Sequence, residues 1–90
     1  MNLVWKVETS REAKKSLAKL DPIAAKRIAS ALRQLAASEN PRLKGRAMAG
    51  HYAGHWRYRV GDYRVIARIE DGRMVIIVVA LGHRREVYRG

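Results

Sequence analysis

Cysteine is absent from the 90-residue chain, which excludes a disulfide framework and cysteine-ligated zinc and suits a reducing compartment. Carboxylates are scarce: 8 Asp and Glu stand against 19 Lys and Arg, a formal charge of +11. No apolar stretch approaches the roughly 18 residues that cross a bilayer. The opening segment MNLVWKVETS lacks a basic region followed by an apolar run, so neither export nor membrane spanning is expected. The expected address is the cytoplasm.

What is present is one domain, residues 1–90, with 48% hydrophobic residues. A chain this short buries only about 60% of the surface it exposes when unfolded, which leaves no room for a second core. The cationic surplus says nothing about fold. It does point to a polyanionic partner, because phosphate backbones release counterions to such a surface.

Residues 3–7, LVWKV, read as a short strand ending before Thr9 and Ser10, both good helix N-caps. Ala13, Leu17 and Leu20 then fall on one face of a helix with Arg11, Lys15 and Lys19 opposite. Asp21-Pro22 ends that helix and starts another, Asp as cap and Pro at the first helical position. Ala24, Ile28, Ala31 and Leu35 mark the second apolar stripe, with Lys26, Ser30 and Arg33 opposite. Residues 38–55 contain Pro41 and three glycines without a sustained period, so a loop is expected there, with a strand start near its end.

The remainder reads as a strand meander. Gly61-Asp62 and Asp71-Gly72 both suit two-residue hairpin turns, and RMVIIVVAL, residues 73–81, reads as a central strand covered on both faces. The predicted fold is α+β in the order β-α-α-β-β-β, an antiparallel sheet with a helical hairpin packed on one face. A two-residue turn at Gly61-Asp62 pairs Arg59 with Arg64 and Tyr58 with Val65. Trp56, Tyr58, Val60, Tyr63, Val65, Ala67 and Ile69 then face the helices, while Arg57, Arg59, Arg64 and Arg68 share the other face beside Ile66, Ile77 and Val79. Like charges directly opposite on a sheet cost up to about 1 kcal/mol per pair. A solvated basic face tolerates that cost; a concave site for a partly apolar anion such as a nucleotide would offset it. The segment LGHRREVYRG after the last strand is placed to bring one imidazole, one or two guanidiniums and one phenol over this face.

The pattern RLKG, then WRYRVGDYRVIARI, then an apolar strand closed by GHRREVY, resembles the RelE branch of the RelE/ParE toxin superfamily over nearly the whole chain. The resemblance implies the toxin of a type II toxin–antitoxin pair that cleaves mRNA in the ribosomal A site. Its partners would be mRNA, ribosomal RNA and an acidic RelB-like antitoxin in a hetero-oligomer, with no membrane and no cofactor. By the same resemblance, Arg64, Arg84 and Tyr88 are carried over as catalytic residues, and Lys44, Arg57 and Arg59 as RNA-binding residues. Arg85 joins the RNA-binding set as a neighbouring cation. The spacing from Arg84 to Tyr88 suits one variant of the family tail, and with Gly90 as last residue the C-terminal helix of some relatives is not expected.

Metal-independent RNA cleavage uses the substrate's own 2′-hydroxyl and builds negative charge on phosphoryl oxygens. Arg64 and Arg84 suit that charge, because a guanidinium is permanently cationic and binds two oxygens at once. Tyr88 and His83 are the candidates for general base. Half-ionising a phenol at neutral pH means lowering its pKa from about 10 by about 3, worth roughly 4 kcal/mol, whereas an imidazole as a residue type needs no such help. His51, His55 and His83 are not expected to form a metal site, since Gly50 and Gly54 argue against one helix face carrying the first two. A ParE-like toxin that inhibits DNA gyrase without catalysis is the alternative, and a basic nucleic-acid-binding module is a third class.

Overall fold

The computed structural model describes residues 4–83. The elements are β1 (Lys6–Thr9), α1 (Arg11–Ala18), α2 (Pro22–Ala37), β2 (Arg46–Ala47), β3 (Trp56–Val60), β4 (Tyr63–Glu70) and β5 (Val75–His83). Short 3-10 turns occupy Pro41–Lys44, Gly50–Tyr52 and Asp71–Arg73. The fold is α+β: two helices on one face of a single sheet in the order β1-β5-β4-β3-β2.

Both helices start where their capping chemistry predicts. The Ser10 hydroxyl accepts the Ala13 N–H at 3.1 Å and the Asp21 carboxylate accepts the Ala24 N–H at 2.9 Å, with Pro22 opening α2. Ala13, Ile28 and Leu35 are buried against Tyr58, Val65, Ala67, Ile76, Val78 and Leu81 of the sheet. Among the described residues no helix is long and apolar enough to cross a membrane.

Three features depart from the sequence expectation. The sheet is mixed, because β1 lies parallel to β5; the two are joined through both helices and the whole meander, and an apolar pattern carries no strand direction. The first strand begins at Lys6 rather than residue 3. Ahead of it Trp5 is buried, and the Val4 and Trp5 N–H groups both donate to the Ala36 carbonyl at 2.9 Å. The Asp71-Gly72 connection is four residues long, pairing Glu70 with Val75 and closing on Met74 in the left-handed region at φ 54°. Its 3-10 turn replaces the two-residue turn that the Asp-Gly dipeptide favours.

A bulge decides what lies at the C-terminal end of β5. Ala67 pairs with Val78 but Ile66 pairs with Ala80, so Val79 is an extra residue and the alternation of faces inverts beyond it. Leu81 thereby reaches the core, where it is 4% exposed. Ser10 secures this irregularity: its N–H donates to the Val78 carbonyl at 2.9 Å and its hydroxyl to the Val79 carbonyl at 3.1 Å, in addition to capping α1. Replacing Ser10 by Ala removes a cap and a bulge contact together, an expected loss of about 1–2 kcal/mol. For a domain of this size the melting temperature should fall by roughly 5–15 °C; an unchanged value would mean that the bulge holds without the serine.

Candidate nucleic-acid interface

The β3–β4 hairpin turns through Gly61 at φ 59°, the positive value that a type II′ turn needs at its first central position. The register is the expected one: Val60 opposite Tyr63, Arg59 opposite Arg64, Tyr58 opposite Val65 and Arg57 opposite Ile66. Tyr58, Val65, Ala67 and Ile69 are buried on the helix side. The arginines are therefore held on the far face by the apolar residues that alternate with them.

A second pair of opposed arginines lies beside the first. Two-residue β2 sets Arg46 across from Arg57. Lys44, Gly45, Arg46, Arg57, Arg59 and Arg64 together line a recess of about 260 Å³, so every lining residue but the glycine is cationic. Among the described residues no carboxylate pairs with Lys44, Arg46, Arg59 or Arg64. The ion-paired carboxylates sit elsewhere: Glu70 with Arg68 and Arg73, Glu8 with Lys6 and Arg73, and Asp71 with Arg42. Arg68, grouped with the other arginines by alternation, is thus neutralised by Glu70 at 3.1 Å outside the recess. On the same face of the sheet Ile66, opposite Arg57, is fully buried although it faces away from the helices, and Arg64 stands opposite Gly82, which brings no side chain against it.

Tyr58 positions the Lys44 side of the recess. Its hydroxyl donates to the Pro41 carbonyl at 3.0 Å, tying the Pro41–Lys44 turn to β3. Its ring also fills the space where a side chain at position 45 would go, since a Cβ on Gly45 would fall 2.7 Å from Tyr58 Cε1 and 3.0 Å from the Arg57 carbonyl oxygen. Burial pushes the Tyr58 phenol up to about 12, against the lowering influence of the Arg42 charge. The same turn is clamped by Arg42, whose guanidinium donates twice to Asp71, at 2.9 and 2.6 Å, and lies 5.9 Å from the centre of the Trp56 ring. That hydrogen-bonded guanidinium holds the exposed Asp71 carboxyl below its usual range.

Comparison with known proteins decides the family. The model of the ParE toxin of the type II toxin–antitoxin system parDE matches residues 7–88. The chain belongs to the RelE/ParE family of type II toxins. Toxin RelG of Mycobacterium tuberculosis is 30% identical over 88 residues, covering 94% of this chain and 97% of that protein. The RelBE2 toxin–antitoxin complex of the same organism contains a chain with 27% identity and a TM-score of 0.71, covering 96% of this chain and 98% of its own. Free Escherichia coli toxin RelE, carrying two arginine-to-alanine substitutions, has the same fold, with a TM-score of 0.77 at 18% identity over 96% of this chain and 88% of its own.

Within this RelE/ParE toxin, the recess brings together Lys44, Arg57, Arg59 and Arg64 of the residues singled out from the sequence. It does not include His83. That residue pairs with Tyr63, and the two rings meet edge to face at 5.9 Å on the helix side, beside Lys19, Leu20 and Asp21. Uninterrupted alternation along β5 puts position 83 on the arginine face; the bulge at Val79 turns it to the other. Arg84, Arg85 and Tyr88 lie outside the described residues. Sequence reasoning overlooked Arg46, whose one available signal was its position after the glycine of the RLKGR run.

The raised phenol gives a pH test of the scaffold. A folded-state pKa above the unfolded value of about 10 means that the neutral phenol favours the fold. The resulting stability is complete below about pH 10 and disappears as pH rises through the folded value. Parent protein should therefore exceed Tyr58→Phe in melting temperature at pH 8, and the gap should close between pH 10 and 12. A constant gap across that window would show that the phenol is not held in its neutral form.

Proposed function

We propose that this toxin is a ribosome-dependent mRNA endoribonuclease that cleaves without a metal, and the observation that carries the reading is the recess of five cations, of which Lys44, Arg46, Arg59 and Arg64 have no paired carboxylate among the described residues. A single-stranded RNA backbone supplies anions to match those four cations. The substrate's 2′-hydroxyl attacks the adjacent phosphorus in line and the 5′-oxygen leaves, giving a cyclic phosphate and a free 5′-hydroxyl. Arg64, with Arg84, binds the phosphoryl oxygens as their charge grows. Lys44, Arg46, Arg57 and Arg59, with Arg85, hold the flanking backbone.

The general base is assigned to Tyr88. His83, the other candidate, has its imidazole against Tyr63 on the opposite side of the sheet from the recess. A phenol serves as base only if its pKa is lowered, and a nest of guanidiniums can supply part of that effect. The ribosome orders the mRNA for in-line attack, which a recess open to solvent does not do alone.

Solved relatives include the RelB–RelE complexes of Pyrococcus horikoshii and Methanococcus jannaschii, so an acidic antitoxin covering the arginine face in a hetero-oligomer is part of the same reading. The family-model match to ParE keeps a second reading, gyrase inhibition without catalysis.

Purified protein should cut mRNA on programmed ribosomes and leave supercoiling by gyrase unaffected; intact mRNA with inhibited supercoiling establishes the second reading. Arg64→Ala should slow single-turnover cleavage by about 10² to 10³-fold, the scale of losing one transition-state donor. Its melting temperature should stay level or rise slightly, because the repulsion from Arg59 is relieved. Tyr88→Phe should bind normally and lose about 10² to 10⁴ in the cleavage step. An Arg64→Ala protein that melts markedly lower and cleaves at the parent rate would make that arginine structural.

A further inference from the structure

The loop from Met48 to His55 joins β2 to β3 just beyond the Arg46–Arg57 pair, and its side chains are used by none of the chemistry above. It is held in one shape by the Met48 N–H donating to the His55 carbonyl, Ala53 to Gly50 and His55 to Tyr52, each at 3.0 Å. Gly50 at φ 67° and Gly54 at φ 88° bracket its 3-10 turn, and neither conformation suits a residue with a side chain. Between and after them three rings stand in a chain. His51 meets Tyr52 edge to face at 5.0 Å, and Tyr52 meets His55 at 5.8 Å. The inner ring, His55, is half-buried, and its Nδ1 is enclosed without a hydrogen-bond partner among the described residues. The outer ring, His51, is exposed.

Position gives this ring chain its meaning. Arg46 and Arg57 face each other, and one residue further on Ala47 faces Trp56, after which the loop closes. At about 3.3 Å per residue the loop begins within roughly 7 Å of the arginine pair. Along β3, Arg57 and Arg59 are two residues apart, again about 7 Å, a spacing comparable to that of successive phosphates on one strand. A strand whose phosphates follow the two arginine pairs therefore runs directly onto the loop. Flat, rigid rings there offer surfaces to which any unpaired base can stack, at about 1–3 kcal/mol per base in single-strand binders.

We infer that His51 and Tyr52 form a base-stacking ledge for a single-stranded RNA nucleotide next to the phosphates held by Arg46 and Arg57. The inference rests on the RNA reading of the recess and adds a nucleobase contact to it. The ledge binds a base and takes no part in the bond-breaking step. Its partner is an unpaired base, because a paired and stacked one has no free face to offer.

The test uses the whole protein and a short RNA uncleavable through 2′-O-methylation, with fluorescence anisotropy at low salt. A second RNA of equal length carries abasic sites. The double variant His51→Ser, Tyr52→Leu keeps an apolar group in the half-buried position while removing both rings. It should bind the base-bearing RNA at least 5-fold more weakly than the parent and the abasic RNA equally well, with the same salt dependence. Arg46→Gln should weaken both RNAs alike and flatten the salt dependence. Equal loss on the two RNAs in the double variant, or no loss on either, overturns the ledge while leaving the recess intact. Failure of the parent to bind either RNA overturns the recess and the ledge together.

Discussion

Arg59 and Arg64 stand directly opposite each other across β3 and β4, with Arg46 and Arg57 repeating the arrangement across β2 and β3. Each opposition costs up to about 1 kcal/mol in a sheet, and long side chains relieve some of it by laying their stems on apolar surface and spreading their charged ends. The relief here is spatial rather than chemical. Glu8, Glu70 and Asp71 are all committed to other cations, so Lys44, Arg46, Arg59 and Arg64 keep their field. An anion that reaches Lys44, Arg46, Arg59 or Arg64 meets cations already in place that no carboxylate pairs among the described residues, which is how an electrostatic site acts without reorganising first.

Holding those cations together falls to groups that carry no charge. Tyr58 is buried among aliphatic side chains and reaches one hydroxyl out to Pro41, so the turn carrying Lys44 is fixed to the strand carrying Arg57 and Arg59. Gly45 is needed because Tyr58 occupies the volume of any larger residue. Toward the other edge of the sheet Ser10 joins the start of α1 to the bulge at Val79. The helices thus set where the last strand ends, and with it where residue 83 points. The ladder of cause runs from two neutral hydroxyls to the placement of the charges.

The helix starts, the β3–β4 register and the division of that hairpin into apolar and cationic faces were all legible in the sequence, because each rests on a local rule: a capping side chain, a glycine turn, a period of two. The bulge was not legible. Nothing in VIIVVALGH marks Val79 as the extra residue, and the choice is made by Leu81 entering the core and by Ser10, 69 positions away, bonding to the Val79 carbonyl. One unseen residue moved His83 across the sheet. The parallel pairing of β1 and the two-residue β2 were hidden for a related reason, since strand direction and short edge pairing depend on tertiary contacts rather than on pattern. Arg46 passed unnoticed because its value comes from that short pairing with Arg57.

That the opposed arginines serve to hold phosphate is tested most directly by side-chain NMR of the arginine Nε–H groups. On titration with a non-hydrolysable dinucleotide the Arg59 and Arg64 signals should shift together and saturate, while Arg68 and Arg73, already bonded to Glu70, should stay in place. Equal small shifts of all the arginines, as from diffuse counterion exchange, would contradict it.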